Sequence, residues 1–304
     1  MTELSKTILD KWQVRKTRQQ KTAFIDFMKS QIPELTVEEG GFGKNRNLVI
    51  GDVKSAQMIL TAHYDTCAQL PFPNFITPKN IWLYLGYSIL ICLPFLILVG
   101  VLAGVTSLLT DDRFIVFLCS YFPSMGLLFW MLLGGKPNPH TANDNTSGVI
   151  QLTEIWAKLT DEQRKNVALV FFDNEENGLL GSAYFAKLHK KDNLKDKLIF
   201  NFDCVSDGDN ILLVLNKTAM AKYGEAMTAA FPGTEEKSVE VTTKAFYPSD
   251  QANFPTNAAA AALKKHKWFG LYMDEIHTKD DCVFDQRNID FLTEGTLRFL
   301  DTTL

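Results

Sequence analysis

Residues 80–110 contain no Asp, Glu, Lys or Arg, and beyond Asp111, Asp112 and Arg113 the stretch 114–133 is again free of them. No other feature narrows the folding options of this chain as much. A helix that crosses a bilayer needs about 20 predominantly apolar residues, and both runs are long enough. The alternative is a pair of very apolar helices buried all round in a soluble core. A short charged loop makes the runs an antiparallel hairpin. Trp82, near the start of the first run, and Trp130, near the end of the second, then fall at the same end, at an interface where tryptophan is favoured. Pro94 and Pro123 lie inside the runs and are tolerated in membrane helices.

The residues outside the hairpin set its expected orientation. Lys79 and Lys136 flank it on one side, which by the positive-inside tendency is cytoplasmic. The opening residues, MTELSKTILDKWQVRKTRQQK, are charged and lack the apolar centre of a secretory signal. The expectation is a two-span membrane protein in which 80–135 is a transmembrane hairpin. It is inserted into a single cytoplasmic domain made of 1–79 and 136–304.

That domain reads as α/β. Residues 5–31 carry a helical apolar stripe of Ile8, Leu9, Trp12, Phe24, Phe27 and Met28. Asn47–Ile50, Gln57–Ala62, Val167–Phe172, Leu198–Phe202 and Ile211–Leu215 read as strands. Helices are expected at Gly148–Leu159, near Gly181–Leu188 and at Asn288–Leu304. Strands alternating with helices predict a largely parallel, mixed sheet sandwiched by helices. A net charge of −4 leaves no basic footprint for nucleic acid. The five cysteines form no CxxC pair, which argues against a cysteine zinc site or a disulfide framework.

Ligands of such sheets gather at the carboxyl ends of strands. After Gln57–Ala62 comes AHYDT, with His63 and Asp65. Before the helix at Gly148 comes TANDNTSGV, with Asp144 and Asn145. After Val167–Phe172 stand Glu175 and Glu176, after Leu198–Phe202 stands Asp203, and MDEIHTKDD carries His277, Asp280 and Asp281. Taken singly, His63 is a core histidine, Asp144 a helix cap, Asp203 a turn residue and His277 a loop residue. Together they are the imidazole and carboxylate donors that suit Zn, Mn or Co. Two adjacent glutamates at the end of a buried strand repel each other, so the pair needs a cation, a proton-transfer task or open water.

The stretches AHYDT, NDNTSGV, NEENGLLGS, NFDCV and EIHTKDD, in that order, resemble the co-catalytic dizinc aminopeptidases. Their superfamily also holds glutaminyl cyclases and glutamate carboxypeptidases. PSDQANF, Pro248–Phe254, is similar to the family's Ser-Asp segment. The resemblance implies a zinc exopeptidase-like fold and two zinc ions, with Mn or Co as substitutes. It implies that Asp144 bridges them, that His63 and Asp203 complete one site, and that Glu176 and His277 complete the other. Glu175 would be the general base, and Asp65 would stand behind His63 and hold its ring. The implied reaction is removal of the N-terminal residue of a peptide.

One departure stands out. The whole hairpin lies between His63 and Asp144, so its two ends start near the expected metals. Apolar or membrane-associated peptides are the substrates this suggests, with the bilayer as a second partner; a mere anchor is the plainer reading. Two other functions compete: a single-zinc glutaminyl cyclase, and an inactive membrane-anchored binding module. Tyr247 and Phe254 are candidates for the pocket that selects the first side chain, and Asp250 for a supporting residue or substrate wall. GGFGK, Gly40–Lys44, lacks the phosphate-loop spacing, and Lys187–Lys197 reads as a charged solvated face.

Overall fold

The strand-forming runs assemble into one nine-stranded mixed sheet. The computed structural model describes residues 1–304. Helices α1 (Glu3–Lys11) and α2 (Arg18–Gln31) lead into strands β1 (Thr36–Gly40), β2 (Asn45–Ile50) and β3 (Met58–His63). The apolar runs form α3 (Ile81–Ser107) and α4 (Arg113–Phe129). The chain returns through α5 (Gly148–Lys158), α6 (Asp161–Asn166), β4 (Val167–Phe172), α7 (Leu180–Leu188), β5 (Leu198–Phe202), β6 (Asn210–Leu215) and α8 (Lys217–Ala230). Strands β7 (Ser238–Thr242), β8 (Asn257–His266) and β9 (Gly270–Tyr272) and helix α9 (Gln286–Thr303) complete it.

The strand order is β1-β2-β4-β3-β5-β8-β6-β7, with β9 hydrogen-bonded to β8. The centre, β4-β3-β5-β8, is parallel. Antiparallel pairing brings in β2 on one side and β6 on the other. The apolar run VALVFF follows from this position. Val167, Leu169 and Phe171 enter a core shared with α1, α2, α5, α8 and α9, while Ala168, Val170 and Phe172 enter a second core with Phe185 of α7. A strand covered on both faces loses the polar alternation of a half-exposed one.

One element departs from the sequence reading. Residues 5–31 are two helices, not one. The chain turns at 12–17, where Arg15 is fully buried; its guanidinium donates to the carbonyls of Trp12 and Tyr64 and to Thr146 Oγ1. Thr17 then restarts the helix with a capping box through Gln20. The sequence reading leaves 257–266 unassigned, and this segment forms β8. Its NAAAAA run has a helical preference, yet it is buried between β5 and β6. There Ala258, Ala260 and Ala262 face the first core, and Ala259 and Ala261 face a third, with Leu212, Tyr247 and Ile276.

Helices α3 and α4 pack on each other and stand clear of the sheet cores. Neither has a buried apolar side chain, and Leu96, Ile97 and Val101 are more than half exposed. Residues 113–134 continue α4 through a wider turn to Gly134. At 1.5 Å per residue the two helices are about 40 and 33 Å long. Trp82 and Trp130 lie exposed at the end nearest the sheet. The two ends of the insertion are pinned together, with Gln69 N–H donating to Lys136 O and Asn138 N–H to Cys67 O.

Candidate metal centre

Strands β3, β4 and β5 lie side by side, so the segments leaving their carboxyl ends meet at a single place. His63 is the last residue of β3, level with Phe172 of β4. Asp203 comes directly after β5, Glu175 and Glu176 come just after β4, and Asp144 arrives on the loop before α5. Two glycines allow that approach. A Cβ on Gly148 would sit 2.3 Å from Phe202 O, and one on Gly181 would sit 2.0 Å from Asp173 O. The asparagines of NDN stitch the loop down. Asn143 Oδ1 accepts from Ser206 and Asp207 N–H, and Asn145 Oδ1 accepts from Gly148 and Cys204 N–H.

Asp144 occupies the middle of the cluster. Its Oδ1 is 3.3 Å from His63 Nε2, which is itself 3.5 Å from Asp203 Oδ1. Its Oδ2 is 3.1 Å from His277 Nε2, which is 3.3 Å from Glu176 Oε2. The ligating atoms of His63, Asp144 and Asp203 lie within 4.8 Å of one another, and so do those of Cys67, Glu176 and His277. His63, Glu175 and Glu176 make a third such group. All five residues expected as metal ligands therefore converge, with Glu175 beside them. Cys67, two residues beyond Asp65, joins the cluster without having been singled out in the sequence.

Supporting residues set the geometry. The sequence places Asp65 behind the His63 ring. Its backbone carbonyl accepts from Nδ1–H at 3.1 Å, and its carboxylate is 3.6 Å away. That carboxylate accepts the N–H groups of Glu175 and Glu176, at 3.0 and 3.3 Å, and so ties the β3 end to the β4 end. Asp281 does the same for the Asp144 loop, accepting from Asn143 and Asp144 N–H at 2.8 and 3.0 Å. Asp250 is buried with neither carboxylate oxygen hydrogen-bonded.

The electrostatics call for positive charge. With Nδ1–H committed, His63 turns Nε2 toward two carboxylates. Burial opposes its proton, but Glu175, Asp144, Asp203 and Asp65 outweigh that and hold the imidazole protonated well above its ordinary range. Burial pushes Glu175 well above the usual carboxylate range, against the pull of His63 and with the help of Glu176. Burial and the Asp144 charge do the same to Glu176, whose Oε1 has no hydrogen-bond partner. Asp250 and Asp281 are each pushed up to about 7, chiefly by burial. Imidazole and carboxylate donors with an unpartnered buried oxygen are a set that zinc fits.

The centre forms the floor of a cleft of about 280 Å³, walled by Asn74, Ile76, Leu179, Tyr247 and Ile276 among others. Tyr247 thus lines the cleft, its hydroxyl donating to Asp203 O. Phe254 does not. It is packed against Phe172 and Phe185 in the second core, because the turn after Asp250 directs it under the sheet rather than into the cleft. Gly40–Lys44 is the turn joining β1 to β2.

A family model described as Peptidase family M28 matches residues 110–296, a stretch with Asp144, Glu175, Glu176, Asp203 and His277 but not His63. No curated protein matches the chain in sequence. Among solved structures, the chain is similar to the LapA aminopeptidase of Legionella pneumophila at 12% identity and a TM-score of 0.56, covering 98% of this chain and 67% of that one. It is similar to LapB of the same organism at 13% and 0.53, covering 98% and 70%. The glutaminyl cyclase of Porphyromonas gingivalis matches at 14% and 0.58, covering 99% and 98%. At these identities the likeness is one of fold.

Proposed function

The chain belongs to peptidase family M28, and on that premise we propose that it is a membrane-anchored aminopeptidase with a dinuclear zinc site. One observation carries the reading. The two oxygens of Asp144 face two different imidazole–carboxylate pairs, His63 with Asp203 and His277 with Glu176. A single ion would leave one of those pairs without a task. Zinc held there would supply Lewis acidity and an acidified water.

The chain's own groups do the remaining work. Glu175 lines the cleft beside the donors and holds no ligand position in this assignment. Its raised pKa suits a group that takes a proton from the attacking water and returns it to the leaving amine. Asp65 acts as a positioning residue by fixing the His63 ring and the Glu175 backbone. Asn74 and Ile76 on the cleft wall come just before α3, so peptides lying at a bilayer surface are the substrates we propose.

Residues 1–79 and 136–304 form the catalytic unit in this reading, and 80–135 anchors it. The long, apolar, exposed helices α3 and α4 support membrane insertion, and the flanking lysines support a cytoplasmic catalytic face. Zinc content measured together with a screen of aminoacyl and N-terminal glutaminyl substrates tests the proposal. About two zinc ions per chain with release of N-terminal residues is expected. About one ion with cyclisation of glutaminyl peptides would replace it with a glutaminyl cyclase.

A further inference from the structure

We propose that the sheet-side end of the α3–α4 hairpin carries a docking face for anionic lipid headgroups, built chiefly by the tip between β8 and β9. The inference rests on reading α3 and α4 as membrane spans. Trp268 at that tip is 83% exposed, with the Lys267 ammonium 5.0 Å from its ring centroid. Lys264 is engaged by Asp207, Asp274 and Glu275. The exposed Lys265 and Lys267 have no acidic partner.

Aromatic packing fixes where the tip stands. Phe269 meets Phe75 at 6.1 Å between centroids, and Phe75 meets Tyr87 of α3 at 5.2 Å. The Tyr87 hydroxyl donates to Pro73 O. Tyr87 lies six residues into α3, about 9 Å along its axis. The tip is therefore level with the first turns of the span, the depth at which headgroups give way to acyl chains. On another side Phe246 packs on Tyr84 of α3 at 5.7 Å and brings Lys244 with it.

The charge is asymmetric in the same sense. Lys16 donates to Leu133 O at the end of the second span, and Lys136 comes just after that span. Four exposed lysines, Lys136, Lys244, Lys265 and Lys267, surround the sheet-side end, whereas the far loop offers Asp111, Asp112 and Arg113. Lysine beside exposed tryptophan at headgroup depth is the chemistry of an anionic membrane surface. The face also touches the cleft. Phe75 belongs to the aromatic packing, and its neighbours Asn74 and Ile76 wall the cleft, so docking holds the cleft's lip against the lipid.

The test uses the full chain in bilayers of phosphatidylcholine and phosphatidylglycerol containing a minority of lipid brominated near the headgroup, on either the zwitterionic or the anionic species. Trp268→Phe is expected to remove a distinct share of the tryptophan quenching. The anionic quencher should exceed the zwitterionic one by on the order of two- to fivefold. Lys265→Gln/Lys267→Gln should bring the two quenchers level, as should high salt. Equal quenching by both lipids in the parent chain, or no loss on removing Trp268, overturns the docking face. Trp82 and Trp130 report separately on the spans. If Trp82→Phe/Trp130→Phe also loses no quenching, the membrane reading itself falls, and the docking face with it.

Discussion

Asp281→Ala should damage the centre without removing a ligand. The Asp281 carboxylate is 1% exposed and accepts the Asn143 and Asp144 N–H groups. Truncation leaves two buried donors unpaired, at about 1–3 kcal/mol each, so the fold should lose about 2–6 kcal/mol. At about 2–4 °C for each kcal/mol in a domain of this size, the melting temperature should fall by on the order of 10 °C. The Asp144 loop is held at this point, so zinc affinity should weaken by about 10–100-fold, the usual penalty for losing a group that orients a ligand. Asp281→Asn separates the causes. Its carbonyl oxygen satisfies one N–H while its amide opposes the other, so it should show about half the loss of stability. Thermal melting and competitive zinc titration with a chelator read both effects. An Asp281→Ala chain with parental zinc affinity would refute the claim that Asp281 sets the Asp144 loop.

Other outcomes rest on the same structure. Glu175→Gln should reduce kcat by about 10²–10⁴-fold, the typical range for a proton-transfer group, while zinc content by elemental analysis stays at the parental level. Lys21 holds Asp173 at 2.6 Å and Asn174 Oδ1 at 2.8 Å behind the glutamate pair. Lys21→Met should cost about 3–5 kcal/mol by stranding the buried Asp173 charge, read by denaturant unfolding, and Asp173→Asn in the same chain should recover part of it. His189 lies between Glu38 and Asp192, at 3.0 and 2.7 Å. Burial opposes its proton, yet the two carboxylates raise its pKa above the ordinary value. Its stabilisation is thus complete below the unfolded pKa of about 6.5 and is lost as pH rises through the raised folded value. His189→Gln should lower the melting temperature at pH 5.5 and leave it nearly unchanged at pH 9. Equal losses at both would contradict the ion-pair origin.

Much of the site was legible because its residues sit at strand ends, and strand ends are marked locally. VALVFF stops at Phe172, and the glutamates stand just beyond; AHYDT and NFDCV obey the same rule. The helix break at 12–17 also had a local signal, the Thr17-to-Gln20 capping spacing, which the apolar stripe across 5–31 overrode. Asp281 stood out only as one acid of the EIHTKDD segment, with no sign of what it holds, and Cys67 had no signal at all. A carboxylate that accepts two N–H groups from a loop over 130 residues away looks like any turn acid in one dimension. The alanines of β8 point the wrong way locally, because helical propensity is decided by the residue and strand formation by the neighbours.

By itself, then, the sequence determined two long apolar runs free of charge, an α/β pattern around them, and a set of donors placed where sheets collect ligands. These are local properties, set by hydropathy and by period. Only the tertiary structure decided which imidazole faces which oxygen of Asp144, which acids hold loops instead of facing those imidazoles, that Tyr247 reaches the cleft while Phe254 does not, and that Lys244, Lys265 and Lys267 lie toward the sheet-side end of α3 and α4. Those facts depend on strand order and register. Register converts distances along the chain into distances in space, and no residue carries that conversion alone.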